Sequence, residues 1–220
     1  SAIKQLRESI LQLAVQGKLT KSWRMQNQAD VTLSGVEVQS AADLLEKIKA
    51  EKAQLIKEGK IKKEKPLPPI TEDEIPYELP ASWGWCRLGE SLLYSDAGKS
   101  PNCEKRPVEG NEWGVLTTTA IQQNRFNERA NKVLPSNFDV NPQQIVKEGD
   151  ILITRAGPIN RTGIACKVDG IQYNLILSDK TIRLKYINGS LFPDFIVLTL
   201  NSSQIRELLL GKMIGMASSQ

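Results

Sequence analysis

The sequence predicts an α+β fold in which N-terminal helices and a proline-rich spacer precede a mixed, strand-rich domain. Three observations support this prediction. Apolar residues recur at helical spacing before residue 60, prolines cluster between residues 66 and 80, and the apolar runs after residue 83 are short and rich in β-branched side chains. Helices and strands are therefore segregated along the chain, which is typical of α+β proteins.

Two amphipathic helices are predicted in the first part of the chain. The first ends at about residue 16, because Gly17 supplies a stop, and the second covers about residues 41–58. The polar, aperiodic stretch 18–40 between them is predicted to be a loop. The apolar side chains of the first helix share one face: Ile3, Leu6, Ile10, Leu13 and Ala14.

The rest of the chain divides at its prolines. Residues 1–65 are predicted to form a helical region, residues 66–82 an extended spacer and residues 83–220 the strand-rich domain. A last helix is expected over residues 202–213, where Ser202 or Ser203 can cap its start. The predicted strands lie between turns rich in Gly, Pro, Asn and Asp: 115–121, 151–154, 164–168, 175–177 and 195–200.

The composition removes several kinds of function. The sequence contains no histidine, which excludes a Ser/His/Asp or Cys/His triad, a histidine proton shuttle and a histidine metal ligand. Its 3 widely spaced cysteines indicate neither a disulfide framework nor a zinc ribbon, and no apolar run approaches the ~20 residues that span a bilayer. A reduced, cytoplasmic setting without membrane contact is the expectation. The net charge of +4 favours an anionic partner only weakly.

Motifs for catalysis are incomplete in this sequence. Gly98-Lys99-Ser100 resembles the end of a phosphate-binding loop, but Leu93 stands where that motif needs its first glycine. Asn141-Pro142 lacks the second proline and the aromatic residue that an adenine methyltransferase uses to hold a flipped base. The residue types of a metal-dependent nuclease are present without a distinctive spacing: Glu148, Asp150, Asp169, Asp179 and Lys180.

Basic residues and amides are interleaved in three predicted loops, 99–106, 122–132 and 155–161. Arginine pairs with guanine and asparagine or glutamine pairs with adenine in the major groove, while lysine and arginine neutralise phosphates. The pattern favours DNA recognition, and an ordinary polar surface is the alternative that composition leaves open. The candidate DNA-binding residues are of these side-chain types: Lys99, Asn102, Lys105, Arg106, Gln123, Asn124, Arg125, Arg129, Lys132, Arg155, Asn160 and Arg161.

Several segments, in the same order, resemble one protein family. Residues 6–20, LRESILQLAVQGKLT, closely resemble the helix of type I restriction-modification specificity subunits, and parts of 42–63 and the run 66–70 resemble its continuation. Residues 79–89, LPASWGWCRLG, are similar to the entry into a target recognition domain of that family. Residues 149–165 contain a glycine-bounded strand pair that is similar to one late in the domain.

The resemblance implies a non-catalytic function in DNA recognition. Specificity subunits of this family contain two target recognition domains, each of which reads one half of a bipartite site in double-stranded DNA, and helices that dock the modification (methyltransferase) subunits. The implied cofactors are S-adenosylmethionine on those partners and ATP with Mg²⁺ on the restriction subunits, with no cofactor or metal on this chain. Its length accommodates one recognition domain and one helical region, so half of a subunit, or a truncated one, is expected.

Two alternatives belong to other functional classes. One is a DNA methyltransferase or nuclease with its own catalytic site, which would bind a cofactor or a metal ion. The other is a helical protein-interaction adaptor without DNA binding, for which the basic loops would be a solvated surface.

Overall fold

The computed structural model describes residues 2–26, 40–187 and 193–217. The predicted loop 18–40 therefore lies largely outside the described residues. In its described part, residues 21–26 are helical, so the loop prediction is wrong there. Arg24 holds this helical turn by donating to the Gly17 carbonyl at 2.7 Å, a contact that the periodicity of a polar segment does not reveal.

The described residues form two compact units. The first comprises the chain up to Tyr94 together with residues 186–187, and the second comprises residues 95–185 and 193–217. No helix in the described part of the chain combines the length and the apolar character needed to cross a bilayer.

The first unit contains helices α1 (Ala2–Val15), α2 (Ala41–Lys57) and the short α3 (Leu88–Ser91). Helix α2 begins at a capping box, in which Ser40 Oγ accepts the Asp43 N–H at 3.2 Å and the Asp43 carboxylate accepts the Ser40 N–H at 3.0 Å. Both long helices stop where the sequence predicts, each beside a glycine with positive φ: Gly17 and Gly59.

The proline-rich spacer is tied down by one arginine. Arg87 donates to the carbonyls of Pro68 and Pro69, at 3.1 and 2.9 Å, and to both carboxylate oxygens of Glu74, at 2.7 and 2.6 Å. The hydrogen bonds from Arg87 lower the pKa of Glu74 to about 2. The spacer is therefore held against a following segment of its own unit and is not a loose linker.

In the described residues the strands form three sheets, of order β1-β9-β6-β7, β5-β2-β8 and β3-β4. Strand β6 is antiparallel to both of its neighbours, and β2 is antiparallel to β5 and parallel to β8. The strands are short: β1 (Tyr94–Ala97), β2 (Trp113–Leu116), β3 (Ile121–Gln122), β4 (Arg125–Phe126), β5 (Asn131–Val133), β6 (Ile151–Thr154), β7 (Ala165–Lys167), β8 (Asn174–Ile176) and β9 (Thr181–Lys185).

One apolar cluster joins strands from all three sheets of the second unit. Its members come mainly from the β-branched and leucine-rich runs that predicted strands, and burying each such side chain contributes about 1.5–3 kcal/mol. The cluster thus fixes the relative positions of the strand ends that carry polar loops. It contains Val108, Leu116, Ala120, Ile121, Val133, Val146, Leu152, Cys166, Val168, Leu175 and Leu177.

The last described residues form two helices, α4 (Pro193–Leu200) and α5 (Ser203–Ala217). The predicted strand 195–200 is therefore wrong. Its β-branched residues indicated a strand, but proline suits the first position of a helix, and burial of Ile196, Val197 and Leu200 selects one helical face.

The predicted strand 115–121 is also interrupted. Strand β2 ends at Leu116, and Thr118–Ala120 form a turn of 3-10 helix before β3 begins. The Thr117 N–H and hydroxyl both donate to the Ala130 carbonyl, at 3.0 and 2.7 Å. The Ala120 N–H then donates back to the Thr117 carbonyl at 3.0 Å, which closes the turn and ends the extended conformation.

Candidate nucleic-acid interface

Three exposed basic residues meet at one end of the four-stranded sheet. Lys99 follows β1, Arg155 follows β6 and Lys180 precedes β9. Because β6 and β9 are antiparallel, with Thr154 opposite Thr181, the end of one strand adjoins the start of the other. We call this part of the second unit the basic end.

Hydrogen bonds between the loops make the basic end a connected frame. The Arg155 N–H donates to the Lys180 carbonyl at 2.8 Å. The Asp179 N–H donates to Ser100 Oγ at 3.3 Å, and the Ser100 hydroxyl is hydrogen-bonded to the Asp179 carboxylate. The loops are thus joined to one another while the basic side chains stay exposed.

Gly98 explains how Lys99 reaches this position. The Gly98 N–H donates to the Ser178 carbonyl at 3.1 Å, and a Cβ atom at Gly98 would lie 1.7 Å from the Leu177 carbonyl oxygen. Only a residue without a side chain permits this approach. The Gly98-Lys99-Ser100 motif is therefore a turn that packs β1 against the start of β9, which accounts for its glycine without a phosphate-binding loop.

The hairpin formed by β3 and β4 reaches the basic end from the side of β7. Its two-residue turn is Gln123–Asn124, and the Asn124 N–H donates to the Ala165 carbonyl at 3.1 Å. Ala165 is the first residue of β7 and pairs with Ile153 near the end of β6. The structure therefore brings the turn and the adjacent Arg125 to the same sheet end as Arg155.

At the opposite end of this sheet, basic residues are neutralised within the protein. Lys185 Nζ lies 2.6 Å from the Asp150 carboxylate, and Lys167 Nζ lies 3.1 Å from Asp169 and 2.8 Å from Asp194. The two hydrogen-bonded carboxylates raise the pKa of Lys167. At this end of the sheet the ion pairs reduce the positive potential, so a polyanion is attracted only weakly.

The basic end differs in this respect. In the described part of the chain, no carboxylate lies within ion-pair distance of Lys99, Arg125, Arg155 or Lys180. Exposed charges of one sign that lack partners raise the local potential and attract ligands of the opposite sign. The arrangement suits contact with phosphate groups.

Arg106, a candidate from the sequence, is occupied by carboxylates. Its two Nη atoms lie 2.7 Å from the two carboxylate oxygens of Glu112, and Nε lies 2.9 Å from Glu104. The hydrogen bonds from Arg106 lower the pKa of Glu112 to about 2, chiefly through this fork. The guanidinium therefore has internal partners in place of phosphates.

Arg161 is occupied by the main chain. Its Nη2 donates to the carbonyls of Thr118 and Ile121, at 3.1 and 3.3 Å, and its own carbonyl accepts from Thr154 Oγ1 at 2.5 Å. These contacts tie the loop after β6 to the turn before β3. Arg161 therefore connects two segments of the second unit and is half-buried.

Asn201 engages two other candidates. This buried residue follows α4; its Nδ2 donates to Asn124 Oδ1 at 2.7 Å, and its carbonyl accepts from Gln123 Nε2 at 3.4 Å. The amides of the hairpin turn are thus hydrogen-bonded inside the second unit.

The remaining candidates are exposed and fall into two areas. Asn160 lies in the loop between β6 and β7, which begins at the basic end. Lys132 lies in β5 of the three-stranded sheet, and a bridge between Glu104 and Val133 brings a neighbouring segment to that strand. The exposed members of this second area and of the turn before β5 are Asn102, Lys105, Arg129 and Lys132.

Sequence reasoning missed two residues of this region. The sequence singles out Lys180 only as part of a nuclease set, although a lysine in the turn after the predicted strand 175–177 is a usable signal for a loop cation. Asn201 offered no signal, because its partners Asn124 and Ala165 are distant in sequence.

The acidic residues considered for a nuclease do not assemble. Asp150 and Asp169 lie at the ion-paired end of the sheet, whereas Asp179 and Lys180 lie at the basic end. Across residues 2–26, 40–187 and 193–217, no group of three or more His, Cys, Asp or Glu side chains is placed to hold a metal ion.

Comparison with known proteins identifies relatives of one kind, although no protein-family model matches the chain. The specificity subunit of the type I restriction enzyme EcoEI from Escherichia coli is 44% identical over 221 residues, which cover 100% of this chain and 35% of that subunit. The specificity subunit of EcoAI, also from Escherichia coli, is 37% identical over 173 residues, which cover 74% of this chain and 26% of that subunit. The chain thus spans about a third of the length of the first relative and about a quarter of the second. Matched by such a relative from end to end, the chain belongs to the family of type I restriction enzyme specificity subunits.

Proposed function

We propose that the chain recognises double-stranded DNA sequence-specifically, as one recognition domain of a type I restriction-modification specificity subunit. The observation that carries this proposal is the basic end. There Lys99, Arg155 and Lys180 stand on adjacent strand ends, exposed and without carboxylate partners among the described residues. Duplex DNA carries one negative charge per ~1.7 Å, so these cations gain by replacing its condensed counterions.

Family membership supports the rest of the proposal, which concerns partners. The apolar stripe of α1 is exposed, with Ile3 at 67%, Leu6 at 61% and Ile10 at 47% of their surface accessible. A large apolar stripe on an exposed helix is typical of an interaction surface. We assign it to docking of a modification subunit, and we place S-adenosylmethionine on that subunit and ATP with Mg²⁺ on the restriction subunits. The complex would act on DNA in the cytoplasm.

The chain itself is proposed to be non-catalytic. Two observations support this part: its relatives are specificity subunits, and the carboxylates that a nuclease would gather are divided between opposite ends of one sheet. Chemistry would then take place on the partners, at sites that this chain selects.

The salt dependence of DNA binding tests the proposal. The logarithm of the association constant falls with the logarithm of the salt concentration, with a slope of about −0.9 per phosphate contacted. Alanine at Lys99, Arg155 and Lys180 together should therefore make the slope shallower by about 2.7. The measurement is fluorescence anisotropy of a labelled duplex from about 50 to 200 mM salt, the range over which phosphate contacts lose most affinity.

A matched control is available in the same unit. Lys147 is exposed and lies just before β6, near the ion-paired end of the sheet, so Lys147→Ala removes a comparable charge and should leave the slope unchanged. If Lys147→Ala made the slope shallower by about 0.9, one third of the change in the triple variant, only net charge would matter. The absence of any salt-dependent DNA binding would favour the adaptor, and methyl transfer from labelled S-adenosylmethionine by the chain alone would favour the enzyme.

A further inference from the structure

We propose that the β3–β4 hairpin reads base edges, that Gln122 and Arg125 are its specificity-determining residues, and that Asn201 is the positioning residue that fixes its orientation. This inference rests on the proposed function and deepens it by separating the residues that read bases from those that hold phosphates.

The alternation of side chains along the two strands separates an inner and an outer face. Ile121 and Phe126 are paired across the hairpin; Ile121 is fully buried and Phe126 packs against the same apolar cluster. Successive side chains in a strand point to opposite faces. The next pair, Gln122 and Arg125, therefore lies on the opposite face of the hairpin, where Arg125 is exposed and Gln122 is half-buried.

The outward pair has the chemistry of base recognition. Residues directly opposite in an antiparallel ribbon have Cβ atoms about 4.5–5.5 Å apart. A glutamine amide pairs bidentately with adenine and an arginine guanidinium with guanine, and the major groove, about 12 Å wide, admits a two-stranded ribbon. Gln122 and Arg125 thus present both kinds of reader side by side on an element that fits the groove.

The turn residues have a different role. Adenine recognition by an asparagine needs its side-chain oxygen as an acceptor, and Asn124 Oδ1 already accepts from Asn201. Asn124 also has a positive φ of 60°, which is uncommon outside glycine and is tolerated best by asparagine and aspartate. The turn is therefore fixed by its hydrogen bonds within the protein, and the neighbouring strand residues Gln122 and Arg125 contact the bases.

Asn201 links the hairpin turn to strand β7 by hydrogen bonds. It is 2% exposed; its Nδ2 donates to both Asn124 Oδ1 and the Ala165 carbonyl, at 2.7 and 2.8 Å, and its Oδ1 accepts the Ala165 N–H at 3.0 Å. One buried amide thus fixes the hairpin turn relative to the first residue of β7. A reader must be held in a defined orientation, and this network supplies the constraint.

Selection from a library of duplexes with a randomised centre tests the inference. The wild-type chain, Gln122→Ala, Arg125→Ala and the control Lys147→Ala are each used to select bound sequences, which are then compared position by position. Each hairpin variant should lose about 5- to 150-fold of the preference at its own position, while the other positions keep theirs. Lys147 is an exposed cation outside the hairpin, near the ion-paired end of the sheet, so its variant should select the wild-type motif.

Asn201→Asp and Asn201→Ala test the positioning role. Both variants lose the donor to Asn124, and Asn201→Asp retains the acceptor for the Ala165 N–H. Both should blur the preference at the positions read by the hairpin and leave the salt slope of binding unchanged. A thermal melt of each variant reports folding separately, and a purely structural role would lower the melting temperature while the folded fraction kept the wild-type motif.

The outcomes separate this inference from the function on which it rests. A wild-type motif that changes in the hairpin variants and blurs in the Asn201 variants supports it. A wild-type motif that survives in Gln122→Ala and Arg125→Ala overturns it and leaves DNA recognition standing. If the wild-type chain selects no motif and binds without salt dependence, the proposed function fails first.

Discussion

Replacing Arg183 with methionine should lower the free energy of unfolding of the second unit by about 3 kcal/mol. Arg183 lies in β9 with 3% of its surface exposed, and its guanidinium is hydrogen-bonded to the carboxylates of Asp96 and Asp150 and to two backbone carbonyls. Burial opposes its charge, but the pairs with Asp96 and Asp150 outweigh burial and raise the pKa of the guanidinium. Strand β9 begins directly after Lys180, so this network also anchors the basic end.

The expected magnitude follows from what each carboxylate would keep. Removing one partner of a buried ion pair costs about 3–5 kcal/mol, because the remaining charge stays buried. The Asp150 side chain, 4% exposed, would retain Lys185 at 2.6 Å and the Lys147 N–H at 2.9 Å. The Asp96 side chain, 26% exposed, can recover water. Both features place the loss at the lower end of that range.

Native-state hydrogen exchange of the amides in β6 and β9 is the appropriate assay, since it reports the opening of the second unit without assuming that both units unfold together. Lys180→Met is the matched control on the same segment, because Lys180 is exposed and unpaired among the described residues; its effect should stay within about 0.5 kcal/mol. A loss of less than about 1 kcal/mol for Arg183→Met, with the fold intact, would refute the reasoning that this ion-pair network holds β9.

Three further predictions concern the second unit. Gly98→Ala should cost about 1–3 kcal/mol in a thermal or urea melt, because its Cβ meets the Leu177 carbonyl; an unchanged melt would mean that the turn adjusts without strain. The stabilisation from Glu112, whose pKa Arg106 lowers from 4.5 to about 2, should be fully present above pH 4.5 and vanish as the pH falls to about 2. The difference in melting temperature between wild type and Glu112→Gln should therefore shrink over that range, and a difference independent of pH would contradict this. Cys166, whose thiol pKa is raised to about 12 mainly by burial, should resist iodoacetamide at pH 8 until the protein unfolds, as peptide mass spectrometry can determine.

Local signals were sufficient for the two long helices of the first unit, although not for the helical residues 21–26. Apolar spacing and terminal glycines predict α1 and α2 because a helix makes its contacts within four residues and its ends are marked by caps. The same local rules failed at residues 195–200, where β-branched side chains indicate a strand and the burial of one helical face decides otherwise. They also continued a strand beyond Leu116, where the Ala120 N–H donates to the Thr117 carbonyl and closes a turn of 3-10 helix.

The sequence predicted the type of side chain in the candidate site, but not which individual residues are available to a ligand. Side-chain chemistry selected loops rich in arginine, lysine and amides, and the structure places several of these at one sheet end. The sequence alone could not separate Arg106 from Arg155. Arg106 is ion-paired with Glu112, whereas Arg155 has no carboxylate partner in the described part of the chain. Both are arginines in polar loops, and only the neighbours differ.

By itself, the amino-acid sequence determined the order of helices, spacer and strand-rich region, and the family to which the chain belongs. These properties depend on residues that are close together along the chain. The tertiary structure alone decided which cations are neutralised and which remain exposed, and which side chains hold the hairpin. The physical reason is that these interactions join residues far apart in sequence: Arg183 with Asp96, and Asn201 with Asn124. Charge and hydrogen bonding depend on distance in space, which is defined only once the apolar cluster has brought the strands together.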